Sequence, residues 1–137
     1  MDILHPPGWN PSQGYANGVA VNAGRLIFIA GQVGWDAKQR FRSEELVPQF
    51  EQALSNVLEV LADAGGKPKQ ICRMTAYCTD KKAYFEARGE LGRIWRRLMG
   101  RHYPAMSMIL VSELLDEPGK IELEATAMIP YVEPNIS

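Results

Sequence analysis

Two runs of this chain, Leu26-Ile27-Phe28-Ile29-Ala30 and Ser107-Met108-Ile109-Leu110-Val111, are apolar at nearly every position rather than at alternate ones. Strands of that kind are buried on both faces. The rest of the chain supplies two helical patterns, enough to cover one face of a five- or six-stranded sheet. A second apolar face left in water would exceed the roughly few hundred Å² usual on a monomer. The economical expectation is a homo-oligomer whose sheets face one another, with clefts at the seams. The competing arrangement, an N-terminal arm folded over the sheet, has few residues to offer.

At 137 residues the chain is expected to form a single domain, 1–137, with one core. Fifteen basic against sixteen acidic residues leave a net charge of −1. That balance argues against a generic nucleic-acid binder, which needs a basic surplus to displace counterions from phosphates. Met1 to Pro7 shows no charged-then-apolar leader, and no apolar run is long enough to span a bilayer, so a soluble, cytoplasmic protein without a membrane partner is expected. Cys72 and Cys78 fall in one expected strand, about 20 Å apart at ~3.3 Å per residue, too far to pair with each other.

Residues 1–14 are rich in breakers (His5-Pro6-Pro7-Gly8-Trp9-Asn10-Pro11) and read as an irregular arm. Val19-Ala20-Val21 and Leu26 to Val33, around Asn22-Ala23-Gly24, read as a hairpin. Phe50, Ala53, Leu54, Val57, Leu58 and Leu61 recur at helical spacing from about Leu46 to Ala64, until Gly65-Gly66 and Pro68 stop the helix. Ile71 to Thr79 reads as a strand. Asp80 is a fair N-cap for a helix over Lys81 to Met99 whose inward face carries Tyr84, Phe85, Leu91, Ile94, Trp95 and Leu98. Strands at Met106 to Glu113 and Lys120 to Met128 follow, joined through Asp116-Glu117-Pro118-Gly119, and residues 129–137 form a tail. The order is ββαβαββ, an α+β class.

Several segments carry a combined signature: Gly14-Tyr15 before the hairpin, Ala30-Gly31-Gln32-Val33 at a strand end, and Gln49 to Asn56 with Leu61, Ala64 and Gly65. Thr75-Ala76-Tyr77 with Asp80, Pro104-Ala105-Met106-Ser107, and Ile121-Glu122-Leu123-Glu124 complete it. The ordered set resembles the RidA/YjgF family of imine/enamine deaminases, also known as the endoribonuclease L-PSP family, from about Gly14 to Met128. The resemblance implies a chorismate-mutase-like mixed sheet with two helices on one face, a homotrimer, and three inter-subunit clefts. It also implies hydrolysis of an enamine or imine metabolite, releasing ammonia, with no cofactor. By the same resemblance Glu122 orients the attacking water as the catalytic residue. Tyr15 and the backbone near Ala30 and Gly31 complete a substrate-binding cleft, with Met106 and Met108 on its wall.

Met106 departs from the family pattern, which has an arginine there to grip a substrate carboxylate. A guanidinium holds a carboxylate through two parallel charge-assisted bonds, and a thioether does not. Three outcomes are open: the substrate lacks that carboxylate, another cation (Arg25, Arg73 or Arg88) replaces the arginine, or no such chemistry occurs and the methionines fill core. A non-catalytic, ligand-binding homotrimer is therefore the alternative function.

Glu122 and Glu124, two apart on a strand, share a face opposite Ile121, Leu123 and Ala125. For Glu122 a structural hydrogen bond to a loop amide competes with the catalytic role; for Glu124 a salt bridge at the subunit seam is the better reading. Tyr15 either closes the cleft or packs on the hairpin. Trp35 is read as a seam residue. The two cysteines and two histidines show neither nucleophile–base nor metal-ligand spacing, so inert thiols and no metal are expected. The basic residues of the second helix, interleaved with Glu86 and Glu90 and lacking an aromatic platform, read as a solvated face, which puts RNA cleavage last.

Overall fold

The structure, a computed structural model, describes residues 1–131. Its elements run β1 (Asp2–Leu4), β2 (Gly18–Ala20), β3 (Gly24–Val33), α1 (Leu46–Asp63), β4 (Ile71–Cys78), α2 (Lys81–Met99), β5 (Ala105–Leu110) and β6 (Ile121–Pro130), with a 3-10 turn over Pro68–Gln70. The expected α+β class and element order hold, with one additional strand in front. The main sheet has the order β3-β6-β4-β5 and is mixed: β6 is antiparallel to both neighbours, whereas β4 and β5 are parallel. A parallel pair requires a crossover, and α2 provides it.

Both helices lie on one face. The α1 residues Ala53, Leu54, Val57 and Leu61 are fully buried, meeting Met74 and Ala76 of β4 and Leu123 and Ala127 of β6 in one core. The α1 helix ends where Gly65 takes a φ of +81°; the Gly66 N–H then reaches the Leu61 carbonyl and the Gly65 N–H the Ala62 carbonyl. Those two bonds satisfy carbonyls the helix would otherwise leave open. Asp80 caps α2 as expected, its carboxylate accepting from the Ala83 N–H at 2.9 Å.

Four expectations are corrected. The hairpin between β2 and β3 does not form: β2 pairs with β1, while β3 pairs with β6. A tight primed turn needs residues with positive φ, and Val21, Asn22 and Ala23 have none. The 1–14 arm is accordingly not wholly irregular, since Asp2–Leu4 is that partner strand. Phe85 is not inward: it is exposed, with the Arg88 guanidinium 4.7 Å from its ring centre. Finally, β5 stops at Leu110 rather than Glu113, and β6 continues through Ile129 to Pro130, into the expected tail. The remainder of that tail, 132–137, lies outside the described residues.

The sheet face away from the helices is uncovered within the chain. Phe28 is 75% exposed and Leu26 49%, and Ile109 on the edge strand is exposed as well. The second face is therefore open but mixed, its apolar Leu26, Phe28 and Ile109 standing beside the polar Arg73, Thr75, Glu124 and Thr126.

Candidate functional site: two half-sites on opposite faces of the sheet

On the uncovered face, β3 carries a bulge. Ile29 pairs with Ala125 and Gln32 with Leu123, so Ala30 and Gly31 together oppose the single residue Glu124. Two residues facing one bend a strand locally and re-aim what it presents. Gly31 is needed here for close approach. A Cβ at this position would lie 2.8 Å from Cδ of Glu122 and 3.0 Å from its Cγ, and closer still to one carboxylate oxygen. The Glu122 carboxyl thus rests against the bulge.

Glu122 alternates with buried Ile121 and Leu123, as the strand period requires. Desolvation raises its pKa first, and the negative charges of Asp116 and Glu124 raise it further. Neighbouring Glu124 accepts a hydrogen bond from the Tyr77 hydroxyl at 2.8 Å, and this bond pushes the Tyr77 pKa upward. That phenol, not a salt bridge, is the partner of Glu124 within the chain. Arg73 and Thr75 share with Phe28, Ala30 and Glu124 a depression of about 420 Å³ on the same face.

On the helix face, a groove of about 360 Å³ lies between α2 and the edge strand β5. Met106 and Met108 form its floor beside the core. Tyr15 is brought there by its neighbour: the Ala16 N–H donates to the Pro104 carbonyl at 3.0 Å, and Ala16 bridges to Ala105 at the start of β5. Trp95 of α2 stacks nearly parallel on Tyr103, with ring centres 6.2 Å apart, and its indole N–H donates to the His102 carbonyl. Arg88 and Arg96 line the α2 side.

The residues read from the sequence therefore fall into two sets. Glu122, Gly31 and Ala30 lie on the uncovered face; Tyr15, Met106 and Met108 lie on the helix face. Met106 pairs with Met74, which pairs with Ala125, and Glu122 is three residues further along β6. At ~3.3 Å per residue and ~4.8 Å per strand spacing, Met106 and Glu122 are about 14 Å apart in the plane of the sheet. They are also on opposite sides of it. One small molecule does not touch both sets within one chain. A cleft holding both sets therefore needs two chains, as the expected inter-subunit arrangement has it: alternation along a strand assigns faces but does not say which chain completes them.

The three arginines weighed as replacements separate as well. Arg25 donates to the Ala64 carbonyl at 3.4 Å, and Arg73 lies on the uncovered face. Arg88 lines the groove on the helix face that holds Met106, while Arg73 also reaches a second depression of about 250 Å³ that it shares with Tyr15, Met106 and Ser107. Arg96, Trp95 and Tyr103 were not singled out as site residues; the spacing Arg88, Gly92, Arg96 along one helix face was the available signal. Trp35 packs on Phe41, ring centres 5.7 Å apart, in the loop after β3. Burial raises both cysteine pKa values, and both thiols are free. Among the described residues no three His, Cys, Asp or Glu side chains gather as a metal cluster, and no helix is long and apolar enough to cross a membrane.

The fold and these two surfaces define a small α+β domain that presents a carboxylate on one side of a mixed sheet and an aromatic groove on the other. A family model described as endoribonuclease L-PSP matches residues 8–129, and the chain belongs to that family, the RidA/YjgF family. The structure of YyfB from Yersinia pestis, a Rid-family protein of unknown function, is similar with a TM-score of 0.83 at 32% identity, covering 93% of this chain and 98% of that one. E. coli TdcF with bound serine gives 0.68 at 26% identity, covering 90% and 92%. The 2-iminobutanoate/2-iminopropanoate deaminase of Mus musculus is 30% identical over 114 residues, 80% of this chain and 78% of that protein.

Proposed function

We propose that this chain is a cofactor-free hydrolase of an imine or enamine group in a small metabolite, acting in clefts between the copies of a homotrimer. In the proposed assembly, Glu122 and the Gly31 bulge of one protomer face the Tyr15–Met106–Met108 groove of the next. The observation that carries the reading is the Glu122 carboxyl, desolvated, raised in pKa by its acidic neighbours, and seated against a glycine that leaves room for nothing else. Family membership and the named activity of the mouse relative support it.

In the reaction, water adds to the C=N carbon while Glu122 orients it and accepts a proton. Glu122 then returns that proton to the nitrogen, giving a neutral carbinolamine; it next relays the carbinolamine hydroxyl proton to the same nitrogen as the C–N bond breaks, so that a carbonyl compound and ammonia leave and the carboxylate is restored. A group whose pKa lies nearer neutrality than an ordinary carboxylate does both halves of this transfer, worth about 10²–10⁴-fold in rate. The two free thiols suit a reducing, cytoplasmic setting.

A second reading, a trimer that binds a ligand without turning it over, draws on the absence of an arginine at Met106. Ammonia release across a panel of imines generated in place by an amino-acid oxidase separates the two. Turnover that disappears in Glu122→Gln supports the hydrolase; turnover that survives the substitution refutes the role of Glu122. No release from any imine, with ligand binding retained, favours the second reading.

A further inference from the structure

Within one chain, the groove on the helix face carries two cations, Arg88 and Arg96, and no carboxylate. Arg88 and Arg96 stand eight residues apart on α2, with Gly92 midway, so all three lie along one side of the helix. Gly92 contributes no side chain, and Nη1 of Arg96 lies 3.5 Å from where its Cβ would be. The Arg96 guanidinium thus folds back over the gap. Arg88 lies at the other end, above the Phe85 ring. Among the described residues neither arginine is in an ion pair, and no carboxylate lines the groove.

Beneath the two guanidinium groups the surface is apolar. Met106 and Met108 are deformable thioethers that pack well on rings, and the Trp95–Tyr103 stack supplies a flat aromatic wall. A volume of about 360 Å³ falls within the range of small-molecule sites, roughly 300–1,000 Å³. Planar guanidinium forks match a carboxylate. With the anion held on the helix, the rest of the ligand projects toward β5, where an uncharged Met106 accepts an apolar body that a guanidinium would exclude.

We propose that this groove binds a 2-oxo or 2-imino acid with a bulky aromatic side chain, its carboxylate held by Arg88 and Arg96 of α2 and its ring on Met106, Met108 and Trp95. The turnover of such a ligand rests on the hydrolase reading above; its binding does not.

The test is calorimetric titration of the intact protein with phenylpyruvate (anion and ring), pyruvate (anion alone) and 3-phenylpropanamide (ring alone). Phenylpyruvate is expected to bind about tenfold or more tightly than either, because each loses one class of contact. Arg88→Gln and Arg96→Gln, which keep a good helix former at each position, should each weaken phenylpyruvate by about tenfold or more, with helical content unchanged by circular dichroism. Equal affinity for pyruvate and phenylpyruvate, or unchanged phenylpyruvate binding in both glutamine variants, overturns the assignment. Arginine-dependent binding without ammonia release from the phenylalanine-derived imine supports the groove while refuting the hydrolase reading, so the two failures are told apart.

Discussion

Gly31→Ala and Gly34→Ala, three residues apart, should separate chemistry from folding. At Gly31 the new methyl would meet Cδ and Cγ of Glu122 at 2.8 and 3.0 Å, well inside the ~3.5–4.0 Å at which carbon atoms attract. Its three nearest neighbours are all atoms of that one side chain, which can turn away. An off-rotamer side chain costs about 0.5–1.5 kcal/mol, so stability should fall by no more than about 1.5 kcal/mol. The carboxyl, however, must move by roughly 1 Å, and a misplacement of that size costs about 10²-fold in rate. At Gly34 the methyl would meet Cα, Cβ and the carbonyl oxygen of Gln49 at 2.6, 2.6 and 2.8 Å. That obstacle includes the α1 backbone, which cannot rotate aside, so helix and sheet must separate at a cost of about 1–3 kcal/mol or more. Urea denaturation and ammonia release per mole of folded protein measure the two effects. Gly31→Ala should be stable but nearly inactive, Gly34→Ala unstable. Full turnover in Gly31→Ala, or equal destabilisation of both variants, refutes the placement of Glu122 against the bulge.

Gln49, 1% exposed, donates to the carbonyls of Ser43 and Pro118 and accepts from the Lys120 N–H; Gln49→Leu should cost about 3 kcal/mol or more in chemical denaturation by stranding those groups. A loss within experimental error would show that water satisfies them equally well. Phe28→Asp places a charge on the uncovered face, forfeiting about 1.5–3 kcal/mol of burial per copy, and should give monomers in sedimentation with an unchanged circular dichroism spectrum; a surviving trimer refutes the sheet-to-sheet assembly. Because the Glu122 pKa is raised in the fold, the native state keeps a proton that the unfolded chain has released, and stability falls as pH rises above the ordinary carboxylate range. Glu122→Gln lacks that loss, so its advantage in thermal melts should grow from acidic to neutral pH; a gap independent of pH contradicts the raised pKa.

The helices were legible because their pattern is local. Leu54, Val57 and Leu61 announce one face of α1, and Gly65-Gly66 its end, within a single window of sequence. The pairing of β1 with β2 was not legible, since Asp2-Ile3-Leu4 is too short to show a period and its partner lies fourteen or more residues away. Gln49 stood in the sequence as the start of the signature segment in the first helix, with no partner indicated. Only the return of the chain past Pro118 and Lys120 brings it three partners. At the candidate site, the face of Glu122 followed from alternation with Ile121 and Leu123, but its distance from Met106 did not.

Taken alone, the order of residues determined two helices, the strands of a sheet and apolar runs with no third helix to cover them, because each follows from side-chain period over a few turns or pleats. Which strand lies beside which, and that the glutamate and the methionines stand on opposite sides of the sheet, was decided by tertiary structure alone. Strand order and register arise from contacts between distant segments, as far apart as Gly24 and Pro130 in β3 and β6, and no local period encodes them.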